Sequence, residues 1–402
     1  MIQETVIQRP TTRARKASIL LAATLLQHAP SSTKVLSTLF HPSTKLDPDR
    51  KFPNFFTNLL LIDIRATIPS LMEKLASDTY LDAAVRLAAC YDLLGAFIHC
   101  LIYSLSDVEE EVVESTPKLM LPPDTLLRLR KDISETLSMT IEFIRDRWDA
   151  AFSGTAGLHP DAIPTPHRPV VDDKGEPKQL ALTWDNPSIE PKNDPILISS
   201  LRTLALWLRD DDNEALQREA TGIVDVLLAL YAIQSDVDFK DPVLIILDTL
   251  TASQSDAAES FVQHKGWELL ASDLHTSTTN HERMRSVIRV LLNVVESETT
   301  SQPPQSWLAL IPFFSTLYAD AVTQISVEEE ELETLLACWE LSLAMLSKAS
   351  KKARHDNFVH LGKIETRVKK MLKEQSQLRQ EDVEGLDAVS YTHLTLPTIL
   401  RV

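Results

Sequence analysis

Asp210, Asp211, Asp212 and Glu214 are the right residue types, close enough together, to hold a hard cation. A calcium loop counted from Asp210 needs glycine at its sixth position and glutamate at its twelfth, where this sequence has Ala215 and Thr221. The same residues read instead as a helix start, with Asp211 as N-cap and Glu214 three residues on, satisfying free N–H groups at the positive end of the helix dipole. Cys90, His99 and Cys100 raise a zinc or thiol reading. Zinc ligands pair two to four residues apart and need a second pair, whereas Cys90 and Cys100 stand ten apart, so core packing is the expectation. His264, His275 and His281 follow no metal spacing and are read as surface residues. No G-x-S-x-G elbow, P-loop or dinucleotide fingerprint occurs in the sequence. No catalytic residue, no metal and no cofactor is therefore assigned.

The elements that would position any site are helices. The clearest runs from Asp124 to Phe152, with Leu126, Leu129, Ile133, Leu137, Ile141, Ile144 and Trp148 on one face. Pro122 and Pro123 precede it and Gly154 and Gly157 follow, as helix ends favour. Similar periodicity covers Arg13 to His28, Phe52 to Leu75, Leu81 to Leu105, Pro195 to Leu208, Asn213 to Tyr231, Pro242 to Thr251, Glu259 to Leu270, Glu282 to Val295, Trp307 to Tyr318, Val327 to Leu346 and Lys352 to Leu372. Short polar breaks between them predict antiparallel neighbours, and helix pairs recur at roughly the 40-residue scale of armadillo and HEAT units. Gly154 to Asp194 breaks the pattern with seven prolines and reads as a long loop, in which Leu180, Leu182 and Trp184 are apolar enough to dock back. Asp107 to Glu114 reads as a solvated acidic loop.

The expected fold class is all-α: an armadillo/HEAT-like α-solenoid of antiparallel helix pairs with one long proline-rich loop. The division is 1–153 for N-terminal repeats, 154–194 for the loop, 195–375 for C-terminal repeats and 376–402 for a disordered tail.

Composition agrees. The chain is 44% hydrophobic with only 8 glycines, few for hairpins or phosphate-cradling loops. A net charge of −17 disfavours nonspecific binding to nucleic acid or anionic membrane. Three scattered cysteines, a polar start from Met1 to Arg15 and no long uncharged apolar run predict a cytoplasmic protein, neither secreted nor membrane-spanning. Trp148, Trp207, Trp267, Trp307 and Trp339 fall in or beside helices as core anchors. Trp184, in the loop, is either a staple or an exposed anchor.

Three segments carry a resemblance: Lys51 to Leu71 (KFPNFFTNLLLIDIRATIPSL), Arg145 to Pro160 (RDRWDAAFSGTAGLHP) and Leu201 to Ala220 (LRTLALWLRDDDNEALQREA). They resemble the neurochondrin family, specifically its fungal branch, across roughly the first 250 residues. The resemblance implies an armadillo-type helical scaffold that works by protein binding, as animal members do in neuronal signalling and neurite outgrowth. It transfers no catalytic residue. Family members carry more repeats ahead of the Lys51 segment, so the resemblance also implies a truncated start. Ser390 to Thr398 (SYTHLTLPT) resembles a translated sequencing-adapter tail, which marks 390–402 as non-native and discounts the residues after about Leu386.

The leading expectation is a non-enzymatic adaptor, its partner contacts assigned to Trp184, Arg209, Asp210, Asp211 and Arg218. The alternative is peripheral membrane or RNA association through the basic helix Lys348 to Lys373, which otherwise reads as a solvated face.

Overall fold

Helices form where apolar residues recur at threes and fours, and proline or glycine sets several of their ends. The computed structural model describes residues 6, 12–28, 39–40, 52–75, 77, 79–105, 121–153, 170–171, 177–178, 190–235, 237–276, 279–297, 303–317 and 329–383. Trp184, Leu180, Leu182, the 107–114 segment and the 390–398 segment lie outside them. By contact the chain divides into two compact units, Met1–Leu269 and Leu270–Val402.

In the first unit α1 is Thr12–His28, α2 Phe52–Thr67, α3 Thr79–Leu105, α4 Pro123–Ser153, α5 Pro195–Asp210, α6 Glu214–Thr221, α7 Val224–Ala232, α8 Lys240–Ser253 and α9 Ser255–Gln263. One rank runs α1, α3, α5, α8, each packed on the next; a second runs α2, α4, α6, α9, with α7 bridging α8 and α9. Cross-rank pairs such as α2 on α3 and α8 on α9 close the layers. This is the two-layer stack of an α-solenoid, and the described residues are almost entirely helical. The exception is a two-residue ribbon in the proline-rich segment, where β1 (Val170–Val171) pairs antiparallel with β2 (Pro177–Lys178). That segment separates helices in sequence but not in packing, because α5 lies directly along α3.

The predicted stripe on α4 is the buried face: Leu129, Ile133, Leu137, Ile141 and Ile144 are all buried. By length and composition α3 is apolar enough to cross a membrane between Thr79 and Ile102. Asp82, Arg86 and Asp92 interrupt that run, and half of it is buried against protein. It is the central core helix, flanked by α1, α2 and α5.

Two predicted helices are each split in two. Asn213 to Tyr231 breaks at Gly222, where Gly222 N donates to Glu219 O (3.0 Å) and Ile223 N to Ala220 O (3.1 Å). A β-carbon at Gly222 would stand 3.1 Å from the Glu219 carbonyl oxygen. Glu259 to Leu270 breaks at Lys265, whose φ of 58° is the left-handed turn that leads into α10, Gly266–Thr276. The helix-start reading of Asp211 is likewise corrected. Asn213 caps α6, its Oδ1 accepting from Ala215 N (3.1 Å) and Leu216 N (3.3 Å), while Asp211 ends α5. Asn213 stands immediately before the first helical residue, so its side chain reaches the second and third N–H groups.

Short, short, long helices recur along the chain: α6, α7, α8, then α9, α10 and α11 (His281–Glu296). Ser255 begins 41 residues after Glu214, and His281 41 after Lys240. In the second unit α11 packs on α13 (Glu329–Lys348), which packs on α14 (Lys351–Val383), with α12 (Leu310–Thr316) against both α13 and α14.

Candidate functional site

Arginine–aspartate pairs hold the first unit's ranks in register. Arg15 of α1 donates to Asp63 of α2 at 2.7 Å, and Arg65 of α2 donates to Thr136 Oγ1 of α4 at 2.8 Å. Arg130 of α4 donates to Asp211 at 2.7 Å and also pairs with Asp212. Arg145 holds Asp225 of α7 through two bonds of 2.8 Å. Burial works against ionisation of Asp225, but those bonds from Arg145 and its positive charge hold the carboxyl below its ordinary range.

The most enclosed charged group joins three helices. Arg147 Nε on α4 donates to Asp194 Oδ2 at 2.8 Å, and Tyr80 Oη on α3 donates to the same oxygen at 2.5 Å. Asp194 Oδ1 accepts from Ile196 N, capping α5. Burial, with the Asp194 charge beside it, pushes the Tyr80 phenol far above its ordinary value. The Arg147 and Asp194 side chains have no exposed surface. No substrate reaches the trio, so its chemistry is that of a staple between α3, α4 and α5.

A serine and a histidine 45 residues apart meet in the second unit: Ser315 Oγ lies 2.9 Å from His360 Nδ1. Nucleophilic use would require the hydroxyl proton to point at the histidine and the oxygen to face solvent. Ser315 also lies within donating distance of Pro312 O, at 2.7 Å, and is only 2% exposed, so its oxygen does not face solvent. Among the described residues no cluster of three His, Cys, Asp or Glu side chains could hold a metal ion. Burial pushes Cys90 up to about 12 and Cys100 up to about 11, away from thiolate chemistry.

What the first unit does offer is a groove of about 580 Å³ on the α1, α3, α5 rank. Close approach of α3 and α5 makes its floor. Thr203 Oγ1 donates to Tyr91 O at 2.9 Å, and a β-carbon at Gly95 would already touch Thr203 Oγ1 at 3.4 Å. Ala88, Ala89, Ile198 and Ser199 form the buried base, and the half-exposed Leu20 and Val85 form apolar walls. The rim is charged: Asp92, which accepts from Gln27 Nε2 at 3.2 Å, Arg202 and Asp238.

Of the residues expected to meet a partner, Arg209 and Asp210 are exposed at the end of α5 and pair with each other at 3.0 Å. Arg218 is exposed on α6. Asp211 is engaged by Arg130, its side chain 8% exposed. Trp184 lies outside the described residues. Arg202 was not singled out from sequence, although it stands seven residues before Arg209, two turns along the same face of α5. Its signal was a lone cation inside an apolar helix stripe. Much of the basic run Lys348 to Lys373 does local work: Lys348 donates to Ser297 O at 3.1 Å, Arg354 to Ser347 O at 2.8 Å, and Arg367 to Leu317 O, each a carbonyl at or just beyond a helix end.

Stacked helix ranks, an open mixed groove and interior ion pairs define a helical-repeat protein. The chain belongs to the neurochondrin family, whose model matches residues 1–396. An uncharacterized protein of Schizosaccharomyces pombe (strain 972 / ATCC 24843) is 22% identical over 251 residues, 60% of this chain. The chain spans only 37% of that relative's length. Two engineered proteins of known structure are also similar, each at 13% identity. One has a TM-score of 0.40, covering 87% of this chain and 96% of its own; the other 0.33, covering 93% and 98%.

Proposed function

We propose that this chain is a non-enzymatic adaptor whose α1, α3, α5 groove receives a polypeptide segment of a partner protein. The observation that carries the reading is the groove itself: about 580 Å³, with a mostly apolar floor and walls and a charged rim. Desolvating an apolar anchor supplies affinity, and the rim charges supply register and selectivity. The fitting segment carries an apolar side chain for the space between Leu20 and Val85, a carboxylate for Arg202 and a cation for Asp92 or Asp238. Arg209 extends the same strip by about 10 Å along α5, from the helical rise over seven residues. Asp210 would act as a rim contact and Asp211 through the position it gives Arg130, whereas Arg218, on α6, does not line the groove. A cytoplasmic setting accords with the three free thiols, since reducing conditions keep cysteines unpaired.

The test is quantitative affinity purification of the full-length chain beside Val85→Glu/Arg202→Glu and Arg218→Glu variants, with and without a high-salt wash. Partners retained by wild type after the wash and lost from the groove variant, but not from Arg218→Glu, would support the groove. An unchanged partner set for Val85→Glu/Arg202→Glu would refute it.

A further inference from the structure

We propose that the outer face of α14 docks on an anionic lipid bilayer. This surface shares no residue with the groove, and its test is independent of that reading. Phe358 is the most exposed large apolar side chain among the described residues, at 69%, and its neighbour Val359 is 64% exposed. Helical spacing puts both on the face that carries Lys351, Lys352, His355, Lys363, Lys369, Lys370 and Lys373, all exposed. The opposite face, with Ile364, Val368 and Met371, is buried, in keeping with the packing of α14 on α12 and α13. Among the described side chains the carboxylates beside this face are Glu365, which pairs with Lys369 at 2.6 Å, and Asp356 at its edge.

The arrangement is a cationic strip with two bulky apolar side chains projecting from its middle, on a chain of net charge −17. From Lys351 to Lys373 the strip is about 33 Å long at the helical rise. Salt screens charges beyond about 8 Å at physiological ionic strength, so the strip's local charge, rather than the net charge of the chain, governs its attraction to a nearby anionic surface. Lysines attract phosphate and serine headgroups, while an apolar pair standing proud of a helix enters the boundary between headgroups and acyl chains. A protein partner would have to supply a matching cavity for two projecting side chains, which a deformable bilayer does not need. RNA would use the lysines but has no base-stacking role for Val359.

The experiment is flotation of the full-length chain with vesicles of phosphatidylcholine alone and of phosphatidylcholine with about one-third phosphatidylserine. Binding to the anionic vesicles only is expected, falling at least about tenfold when salt rises from about 0.1 M to 0.5 M. Lys351→Glu/Lys352→Glu/Lys363→Glu should weaken it at least about tenfold. Phe358→Asp/Val359→Asp should weaken it several-fold with the salt dependence kept. Far-UV circular dichroism checks that both variants keep the wild-type helix content. Failure of wild type to float with anionic vesicles, or flotation unmoved in either variant, overturns the proposal. So does displacement from the vesicles by single-stranded RNA at concentrations below those at which the vesicles themselves bind.

Discussion

Asp194 serves three helices with one carboxylate, and its loss tests whether that arrangement matters. Asp194→Ala would remove the carboxylate that Arg147 Nε donates to and the cap of α5. Breaking a buried ion pair from one side costs about 3–5 kcal/mol. Tyr80→Phe removes the hydrogen bond to the same oxygen, worth about 1.5–3 kcal/mol where the acceptor is charged, and a longer one accepted from Arg147 Nε at 3.3 Å, but leaves the ion pair in place. Thermal unfolding should therefore rank Asp194→Ala well below Tyr80→Phe, and equal melting points would mean the trio is incidental. Thiol chemistry gives a second check at this scale. Cys90, raised by burial to about 12 from an ordinary 9.0, favours the folded state fully below 9.0. That contribution is lost as pH climbs toward 12, because the unfolded thiol ionises first. At neutral pH the native chain should react slowly with a thiolate-dependent reagent such as Ellman's and rapidly once unfolded in guanidinium. Fast native labelling at Cys90 or Cys338 would contradict their burial.

At the scale of helices the sequence was legible where its apolar period was long and its breaks were proline. The face of α4 and the start of α5 at Pro195 could both be read directly. Less legible were breaks that depend on backbone geometry within a continuous apolar pattern. Lys265 adopts a left-handed φ although nothing in its side chain signals it, and Gly266 next to it packs under the ring of Phe261. The candidate site was harder still, because Arg202, Val85 and Leu20 come together only once α1, α3 and α5 have stacked. Its charges lie far apart in sequence and carry no motif. The Lys265 turn gives an element-scale prediction with opposite signs at adjacent residues. Lys265→Gly relieves a conformation that costs an L-residue about 1–2 kcal/mol, less about 0.5–1 kcal/mol of glycine entropy, so it should be neutral to slightly stabilising. Gly266→Ala would place a β-carbon 2.5 Å from Phe261 Cε2 and should destabilise by about 1–3 kcal/mol. Denaturant midpoints decide it; two variants moving the same way would mean the split between α9 and α10 is not held by this turn.

For the molecule as a whole, the question is whether the 154–194 segment joins two structures or interrupts one. The packing within the first unit favours interruption. α3 and α5 lie on opposite sides of the segment in sequence but side by side in the stack, joined by Thr203 to Tyr91 and by the trio of Tyr80, Arg147 and Asp194. Arg130 and Arg145 add pairs from α4 to Asp211 and Asp225. Apolar burial along such a helix pair is worth about 25 cal/mol per Å², and it does not depend on an intact peptide bond between the halves. Cutting the chain raises the entropy of separation but leaves every contact in place. A site-specific protease sequence inserted between Asp172 and Pro177 and then cleaved should yield two fragments that co-elute on gel filtration under native conditions. They should separate only in denaturant, with a melting point lowered and now dependent on protein concentration, as association of two chains requires. Fragments that part in native buffer would instead make the segment a true linker and would separate Arg202 from Leu20 and Val85, dismantling the groove with it.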